Sequence, residues 1–483
     1  MSKESLTHAL KSGNSNTIIF GSRFKKVVEN ATTVNPELKM FQFNDQPADL
    51  SPKAIDLKTK LQESSFNSLD FDIDMGKSDD KLVYIYTSGT TGFPKASVIR
   101  NFRYNLAFLT FNLGVNIKTE DILYIPVPLY HSLGGMAGTS QCLIKGTSIV
   151  IRTKFSASNF WKDCEKYKCT ISQYIGEMAR YVILAHRNSQ EKPSYRLPKM
   201  FGNGMKPTTW KQFVENFNVG QIYEFYGSTE GNFGLFNLDN TVGSIGYCPL
   251  YGDYFVPMAL IKCNASGEPI RNDEGFCDIC EFDEPGLMVC KISKLLPLTK
   301  FDGYSDSEST KKKILENVLR KGDMYFNTGD VLVRDDHGYF YFRDRTGDTF
   351  RWKGENVSTN EVEDILSSVI QRDVAVYGVE IPGSEGKAGM AALADPNKTL
   401  DLKRFLEACQ SNLPSYSVPI FLRIVDEIKE TGTFKIQKVD YQKEGFNIDL
   451  VKDKVYFLDP KRKEYVEVER ELYNDICNCQ VRV

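Results

Sequence analysis

At 483 residues with 41% hydrophobic side chains, the chain exceeds what one core usually organises, so a globular protein of two or more domains is expected. Its 60 basic side chains against 63 acidic ones leave a formal charge of -3, which gives no broad electrostatic basis for binding nucleic acid or an anionic surface. Any anion site must be local. The 11 cysteines are scattered and no secretory n-region and h-region opens the sequence, so reduced thiols are expected.

Residues 1–80 mix a weak strand at 17–20 with helical stretches and a polar segment at 45–80, and read as the remainder of a larger subdomain. Residues 82–86 are apolar, β-branched and aromatic, which predicts a strand. Tyr86 leads from it into Thr87-Ser88-Gly89-Thr90-Thr91-Gly92-Phe93-Pro94-Lys95. Gly89 and Gly92 let the backbone turn its N–H groups toward an anion, the hydroxyls of Thr87, Ser88, Thr90 and Thr91 add donors, and Lys95 adds a point charge on a long stem. The spacing does not fit the Walker A loop, because Phe93-Pro94 separates the second glycine from the lysine. Pro94 instead predicts an exit into an extended segment at 96–100. A generic Ser/Thr/Gly-rich loop is a surface hairpin; the order of this run favours a phosphate-binding device.

From 82 to 240, strands at 122–125, 148–151, 170–174 and 221–225 alternate with helical segments such as 157–168, the mark of α/β organisation. The apolar stretch 175–184 has helical spacing and suits core better than the wall of a tunnel. Residues 240–344 are richer in Gly, Pro and short strand patterns, with His337-Gly338 turning between 330–333 and 339–342, so a smaller β-rich subdomain is expected there. Cys277-Asp278-Ile279-Cys280, flanked by Cys263 and Cys290, raises zinc, but a single CxxC favours plain thiols. After Arg345 the pattern changes again. Ser358-Thr359-Asn360-Glu361 is a capping box opening a helix at 361–370, a strand follows at 374–379, and a helix at 402–411 precedes Leu413-Pro414. A C-terminal α+β domain over 345–483 is expected beside a first domain over 1–344. No stretch reaches the roughly 18 to 20 consecutive apolar residues that span a bilayer as a helix.

Several further runs accompany the loop at 84–96: Phe201-Gly202-Asn203-Gly204, Glu224-Phe225-Tyr226-Gly227-Ser228-Thr229-Glu230-Gly231-Asn232, Thr328-Gly329-Asp330, the run from Asp344 to Thr359, and Thr431-Gly432-Thr433-Phe434-Lys435. In this order they resemble the adenylate-forming, AMP-binding enzymes, and within them the very-long-chain acyl-CoA synthetases, or fatty acid transport proteins. The resemblance covers the chain from about Ile18 to the C-terminus. It implies an α/β fold with a large N-terminal domain carrying a β-rich subdomain, and a small mobile α+β C-terminal domain. Members commonly carry an N-terminal membrane segment and a phosphate loop much deeper in the sequence, so the N-terminal domain is expected to be incomplete here.

The resemblance implies ATP-dependent ligation of long- or very-long-chain fatty acids to coenzyme A through an acyl-adenylate, coupled to fatty acid uptake. It implies that the 87–95 loop embraces the β- and γ-phosphates of ATP, that Thr229 donates to the α-phosphate, and that Glu230 helps bind Mg2+ through hard oxygen. Asp330 and Arg345 would hold the ribose, and Gly202, Asn203, Gly204 and Tyr226 the adenine. Lys435, on the mobile domain, would bridge carboxylate and α-phosphate during adenylation. A lysine in a polar loop is by itself merely solvated; its context here argues otherwise. His131, in Pro128-Leu129-Tyr130-His131, would line the junction of acyl and adenylate pockets, although a lone histidine is more often a packing residue. A swing near Gly347-Asp348 would then withdraw Lys435 and present Lys353-Gly354-Glu355-Asn356 for attack by the CoA thiol. Peripheral association with endoplasmic reticulum, peroxisomal or plasma membrane is expected on the same ground. The competing expectations are a truncated, catalytically silent protein that binds nucleotide or fatty acid in lipid trafficking, and a ligase for a bile acid or a short polar acid.

Overall fold

The computed structural model describes residues 3–32, 37–44, 49–64, 76–87, 94–186, 193–249, 256–264, 267–293, 299–345, 349–352, 355–382, 384, 386–431 and 436–481. They fall into two compact units, Met1–Ala107 with Asp302–Lys312, and Phe108–Phe301 with Lys313–Val483.

In the first unit, strands Thr17–Gly21, Lys39–Phe43 and Ala54–Asp56 form a parallel sheet in that order, over a small core of Phe20, Val28, Met40 and Ala54. A second element is the antiparallel hairpin of Lys81–Thr87 and Lys95–Arg100, with Thr87 opposite Lys95. The strand expected at 82–86 and the extended exit after Pro94 are therefore its two arms. Residues 302–305 extend it: Val98 N donates to Gly303 O at 3.0 Å, Ser305 N donates to Ala96 O at 2.8 Å, and Arg100 pairs with Asp302 at 2.6 Å.

The second unit contains three sheets that position the site. The first has the order Gly234–Asn237, Val219–Gly227, Leu197–Asn203, Ile171–Ile175, Ile122–Ile125, Ser148–Ile151, parallel throughout except for the first strand. Ile171–Ile175 is buried at every residue, as a central parallel strand covered on both faces must be. Trp161, Trp210, Phe213 and Phe217 build one core of this layer; Phe111, Leu123, Ile171 and Phe201 belong to another. The α/β pattern read from the sequence is this sheet with its helices Phe160–Lys166, Gly176–His186 and Pro207–Asn216.

The second sheet is β-rich and antiparallel, in the order Gly246–Tyr247, Tyr339–Arg345, Met324–Arg334, Gly286–Lys291, Met258–Ile261. Its 334–339 hairpin turns at His337-Gly338 as expected: Gly338 has φ +98, and Asp335 accepts from Tyr339 N at 2.8 Å. None of the eleven cysteines is in a disulfide. Cys290 lies inside this sheet's core, and among the described residues no cluster of three or more His, Cys, Asp or Glu side chains is arranged to hold a metal ion.

The third sheet runs Val374–Glu380, Lys387–Ala394, Phe421–Val425, Lys454–Asp459, Glu464–Glu467, flanked by helices Thr359–Ile370 and Leu402–Asn412. Ser358 Oγ accepts from Glu361 N at 3.3 Å and starts the first of these helices two residues before the expected position. Phe421 is the hub of the core, stacked on Phe446 with centroids 4.4 Å apart and against Phe457 at 5.4 Å. No described helix is long and apolar enough to cross a membrane.

Phe421→Ala removes a fully buried ring with two aromatic partners, so it should destabilise this core by about 3–5 kcal/mol. Trp352 belongs to the same core, and denaturant unfolding followed by tryptophan emission, with the other two tryptophans replaced by Phe, checks it. A midpoint equal to that of the parent would contradict the packing described.

Candidate active site

One part of the site lies at the C-terminal ends of three neighbouring parallel strands. Leu197–Asn203 ends in Gly202 and Asn203, and Gly204 follows with φ +78, a conformation that favours glycine. The turn is held by a buried carboxylate on the next strand: Glu224 Oε1 accepts from Gly204 N and from Met205 N, the latter at 3.2 Å. From the strand on the other side, the Tyr174 hydroxyl donates to Glu224 Oε2. Burial pushes the Glu224 carboxyl up to about 8, against the pull of these donors toward the charged form.

The glycines here serve packing as much as any ligand. A Cβ on Gly202 would stand 2.1 Å from Tyr174 O, so glycine at 202 is required by the neighbouring strand. A Cβ on Gly176, at the start of the helix Gly176–His186, would stand 1.7 Å from Gly204 O. Gly204 has open space at its Cβ position and is fixed by φ alone.

Two residues beyond Glu224, and so on the same face of the strand, Tyr226 donates its hydroxyl to Asp330 Oδ2 at 2.7 Å. Burial and the Asp330 charge hold the Tyr226 phenol well above its ordinary range, so it remains a donor. Asp330 sits on Met324–Arg334 after Gly329, whose φ is +76, and its own N–H donates to Thr328 Oγ1 at 3.1 Å. Arg345, paired with Asp330 in the sheet register, brings Nε to 3.4 Å from Asp330 Oδ1. Asp330 thus holds one phenol and one guanidinium.

The turn 228–231 is closed by Gly231 N donating to Ser228 O at 3.2 Å and to Ser228 Oγ at 3.0 Å. It carries Thr229 and Glu230, and Thr229 Oγ1 lies 3.3 Å from Ser132 Oγ. Ser132 follows His131, whose Nδ1 accepts from Leu133 N at 3.2 Å; a neutral ring then carries its proton on Nε2. The second unit therefore brings the turn that carries Thr229 and Glu230 to Ser132, the neighbour of His131, and Tyr226 together with Asp330 and Arg345.

Tyr86, Thr87 and Lys95 belong to the first unit. Tyr86 donates its hydroxyl to Ala9 O at 2.5 Å, Thr87 Oγ1 donates to Lys95 O at 3.4 Å, and Lys95 Nζ stands over the Tyr304 ring at 5.5 Å. The two arms thus bracket the expected phosphate loop. Ser88, Gly89, Thr90, Thr91 and Gly92 lie outside the described residues, as do Lys435, Gly347, Asp348, Lys353 and Gly354.

The match to the family model for AMP-binding enzymes spans residues 1–257. The chain is 44% identical over 480 residues to human long-chain fatty acid transport protein 1, covering 99% of this chain and 74% of that one. It is 48% identical over 401 residues to the mouse protein of the same name, covering 83% of this chain and 62% of the relative. The chain belongs to the AMP-binding enzymes, in the fatty acid transport protein family. It spans less than two thirds of the mouse relative's length. Among solved structures it is similar to an anthranilate CoA ligase bound to anthranoyl-AMP, with TM-score 0.73 and 19% identity over 92% of this chain and 80% of that one. It is similar also to an ATP-bound MatB from Rhodopseudomonas palustris, with TM-score 0.72 and 20% identity over 93% and 82%. These likenesses establish the adenylate-forming fold.

Within that family fold, motif reading did not single out Tyr174, Gly176 or Ser132, and it placed Glu224 at the head of a run without giving it a role. Glu224 carried a signal nonetheless, as an acidic residue inside the apolar strand Val219–Gly227, where a charge must find buried partners.

The sign of the Glu224 effect on stability follows from its raised pKa. Between the ordinary carboxylate range and about 8 the folded protein holds a proton that the unfolded chain has lost, so stability falls as pH rises through that window. Glu224→Gln keeps the size and an acceptor without the titration. Thermal unfolding from pH 5 to pH 9 should therefore show the wild type losing stability relative to Glu224→Gln, and parallel curves would contradict the assignment.

Proposed function

We propose that the chain activates long- or very-long-chain fatty acids with ATP as acyl-adenylates and passes the acyl group to coenzyme A, and that this chemistry drives uptake by trapping the acid as a thioester. The observation that carries the reading is the Tyr226–Asp330–Arg345 set beside the Gly204 turn, in a chain of this family. A carboxylate held by a phenol and a guanidinium retains acceptor capacity for a pair of vicinal hydroxyls, which is what a ribose presents. The Gly202-Asn203-Gly204 turn would carry the adenine.

In the first half-reaction a carboxylate oxygen of the acid attacks the α-phosphorus of ATP and pyrophosphate leaves with the electrons of the broken P–O bond. In the second, the CoA sulfur attacks the acyl carbonyl, AMP leaves, and the thiol proton passes to solvent. The chain's task is to align the acid and to offset charge growing on the α-phosphate. Thr229 is a hydroxyl donor for that phosphate, Lys435 a cation for both phosphate and carboxylate, and the 87–95 loop with Lys95 a cradle for the departing pyrophosphate. Glu230 beside the Thr229 hydroxyl is a hard-oxygen donor set with a single carboxylate, which fits Mg2+ as an ion that keeps water and phosphate ligands; bound there, Mg2+ supplies charge neutralisation. His131 would line the acyl side of the junction. We further propose that residues 1–344 and 345–483 act as separate domains, the second carrying Lys435 and turning near Gly347-Asp348 between half-reactions. Two relatives' name as fatty acid transport proteins supports membrane association; the relevant membrane would be the endoplasmic reticulum, peroxisomal or plasma membrane.

ATP/pyrophosphate exchange that depends on a long-chain acid tests the proposal. Lys435→Ala should lower exchange on the order of 10^2-fold or more, the loss typical of a group aimed at transition-state charge. Asp330→Ala should act mainly by raising the KM for ATP. Folded protein that binds ATP yet forms no acyl-adenylate from any medium- to very-long-chain acid would sink it.

A further inference from the structure

Lys313 leads into the short strand Ile314–Glu316, which pairs antiparallel with Met324–Arg334 and sets Ile314 opposite Phe326. One position further along, Asn327 N donates to Lys313 O at 2.8 Å, so the Lys313 backbone is fixed against the residue that opens the Thr328-Gly329-Asp330 turn. That turn is itself pinned: Thr328 Oγ1 donates to Met288 O at 2.7 Å, and Gly329 N donates to Asn327 Oδ1 at 2.9 Å. The lysine side chain lies over this corner. Its Nζ is 3.5 Å from Thr328 O, 5.9 Å from the centre of the Phe326 ring, and 3.6 Å from where a Cβ on Gly329 would stand. The same ring reaches the other half of the site, because Phe326 Cε1 is 3.2 Å from where a Cβ on Gly231 would stand. The ammonium group thus sits beside the turn that holds Asp330, and one aromatic ring away from the turn that carries Thr229 and Glu230.

This charge is not neutralised. Lys313 is partly buried, and among the described residues no carboxylate pairs with it. Its hydrogen bond to Thr328 O is longer than the roughly 2.7–3.2 Å usual for an N–H donor. Other buried cations of the same unit are treated differently: Lys438 pairs with Glu363 at 2.9 Å, Arg372 with Asp395 at 2.6 Å, and Arg423 with Asp453 at 2.7 Å. Drawing an ammonium group out of water without a partner costs free energy, of which a ring face and a distant carbonyl recover little. A lysine of this exposure elsewhere on the surface would be merely solvated; this one stands between the two turns that carry the site. A nucleotide with its ribose at Asp330 and its α-phosphate at Thr229 spans those turns and brings the missing negative charge.

We propose that Lys313 is a phosphate-binding residue of this site, its ammonium group exchanging the Thr328 carbonyl for a phosphate oxygen of ATP. The inference rests on the ribose and phosphate roles proposed above for Asp330 and Thr229. The four-carbon stem lets the amine make that exchange while the strand Ile314–Glu316 stays paired. A lysine serves here as a point charge, so what the site requires at 313 is a cation on a long side chain.

Equilibrium dialysis of the full chain against radiolabelled ATP with Mg2+, and separately against radiolabelled adenosine, tests this, because adenosine has the base and sugar without the phosphates. Lys313→Met keeps an apolar stem and removes the charge. It should weaken ATP binding about 10-fold, the scale of one hydrogen bond between charged groups, and leave adenosine binding within about 2-fold of wild type. Lys313→Arg, which keeps the charge, should recover most of the loss. In ATP/pyrophosphate exchange with oleate, the Lys313→Met defect should fall on the KM for ATP and not on the KM for oleate. A lysine that only supports the Thr328-Gly329-Asp330 turn would weaken ATP and adenosine alike when replaced. That result, or unchanged ATP binding in Lys313→Met, overturns the proposal. Asp330→Ala run in parallel separates the two failures, since it should weaken both ligands. If it weakens neither, the ribose reading falls and Lys313 with it; if it weakens both while Lys313→Met weakens neither, the Lys313 assignment alone falls.

Discussion

Three parallel strands end on one carboxylate. Glu224 is 1% exposed, and a charge or even a neutral carboxyl at that depth requires partners for both oxygens. It finds them in Gly204 N, Met205 N and the Tyr174 hydroxyl, so the strands Ile171–Ile175, Leu197–Asn203 and Val219–Gly227 are locked at the same end. The C-terminal edge of a parallel sheet is where open α/β folds place their ligands. Here that edge depends on a single side chain whose removal would free a turn, and the helix start at Gly176 rests on the same turn. Because side chains alternate along a strand, fixing Glu224 also fixes Tyr226 on the same face and aims its hydroxyl at Asp330. Phe225, on the opposite face, packs edge-on against Phe111 at 4.9 Å, so the register is held from both sides.

Much of this was legible because it is local. Strands at 122–125 and 148–151, the hairpin at His337-Gly338 and the helix start at Ser358 follow from periodicity and turn chemistry within a few residues. The candidate site was legible in another way, through the order of short runs, and that order named Tyr226, Asp330 and Arg345 without showing that they touch. What the sequence hid is set by contacts between distant residues. Nothing near Gly202 announces that Tyr174 O occupies the place of its missing side chain. Nothing near Tyr181 announces Glu430, 249 positions later. Glycine near a nucleotide motif invites a ligand-based reason, and at position 202 the neighbouring strand is sufficient.

The end of the strand Tyr339–Arg345 shows the same contrast between strong and weak polar contacts. Asp344 is buried and accepts from Arg345 N at 2.8 Å, Thr349 Oγ1 at 2.6 Å, Thr359 N at 3.1 Å and Asn360 Nδ2 at 2.8 Å. Thr359 in turn accepts from Lys438, which pairs with Glu363, which accepts from Val376 N at 2.7 Å. A buried network with every member satisfied specifies one arrangement of its parts, whatever its net contribution to stability.

Arg345, the next residue, is held differently. Its guanidinium is 45% exposed and reaches Asp330 at 3.4 Å, a pair of the kind worth only about 0–1 kcal/mol. The Arg345–Asp330 pair lies within the β-rich sheet, whereas Asp344 has three of its four partners at or beyond residue 349. Arg345 then stands where a tightly bound layer meets a lightly held ion pair. A guanidinium there can exchange Asp330 for another acceptor at small cost, whereas the peptide that carries it is pinned through its own N–H to Asp344.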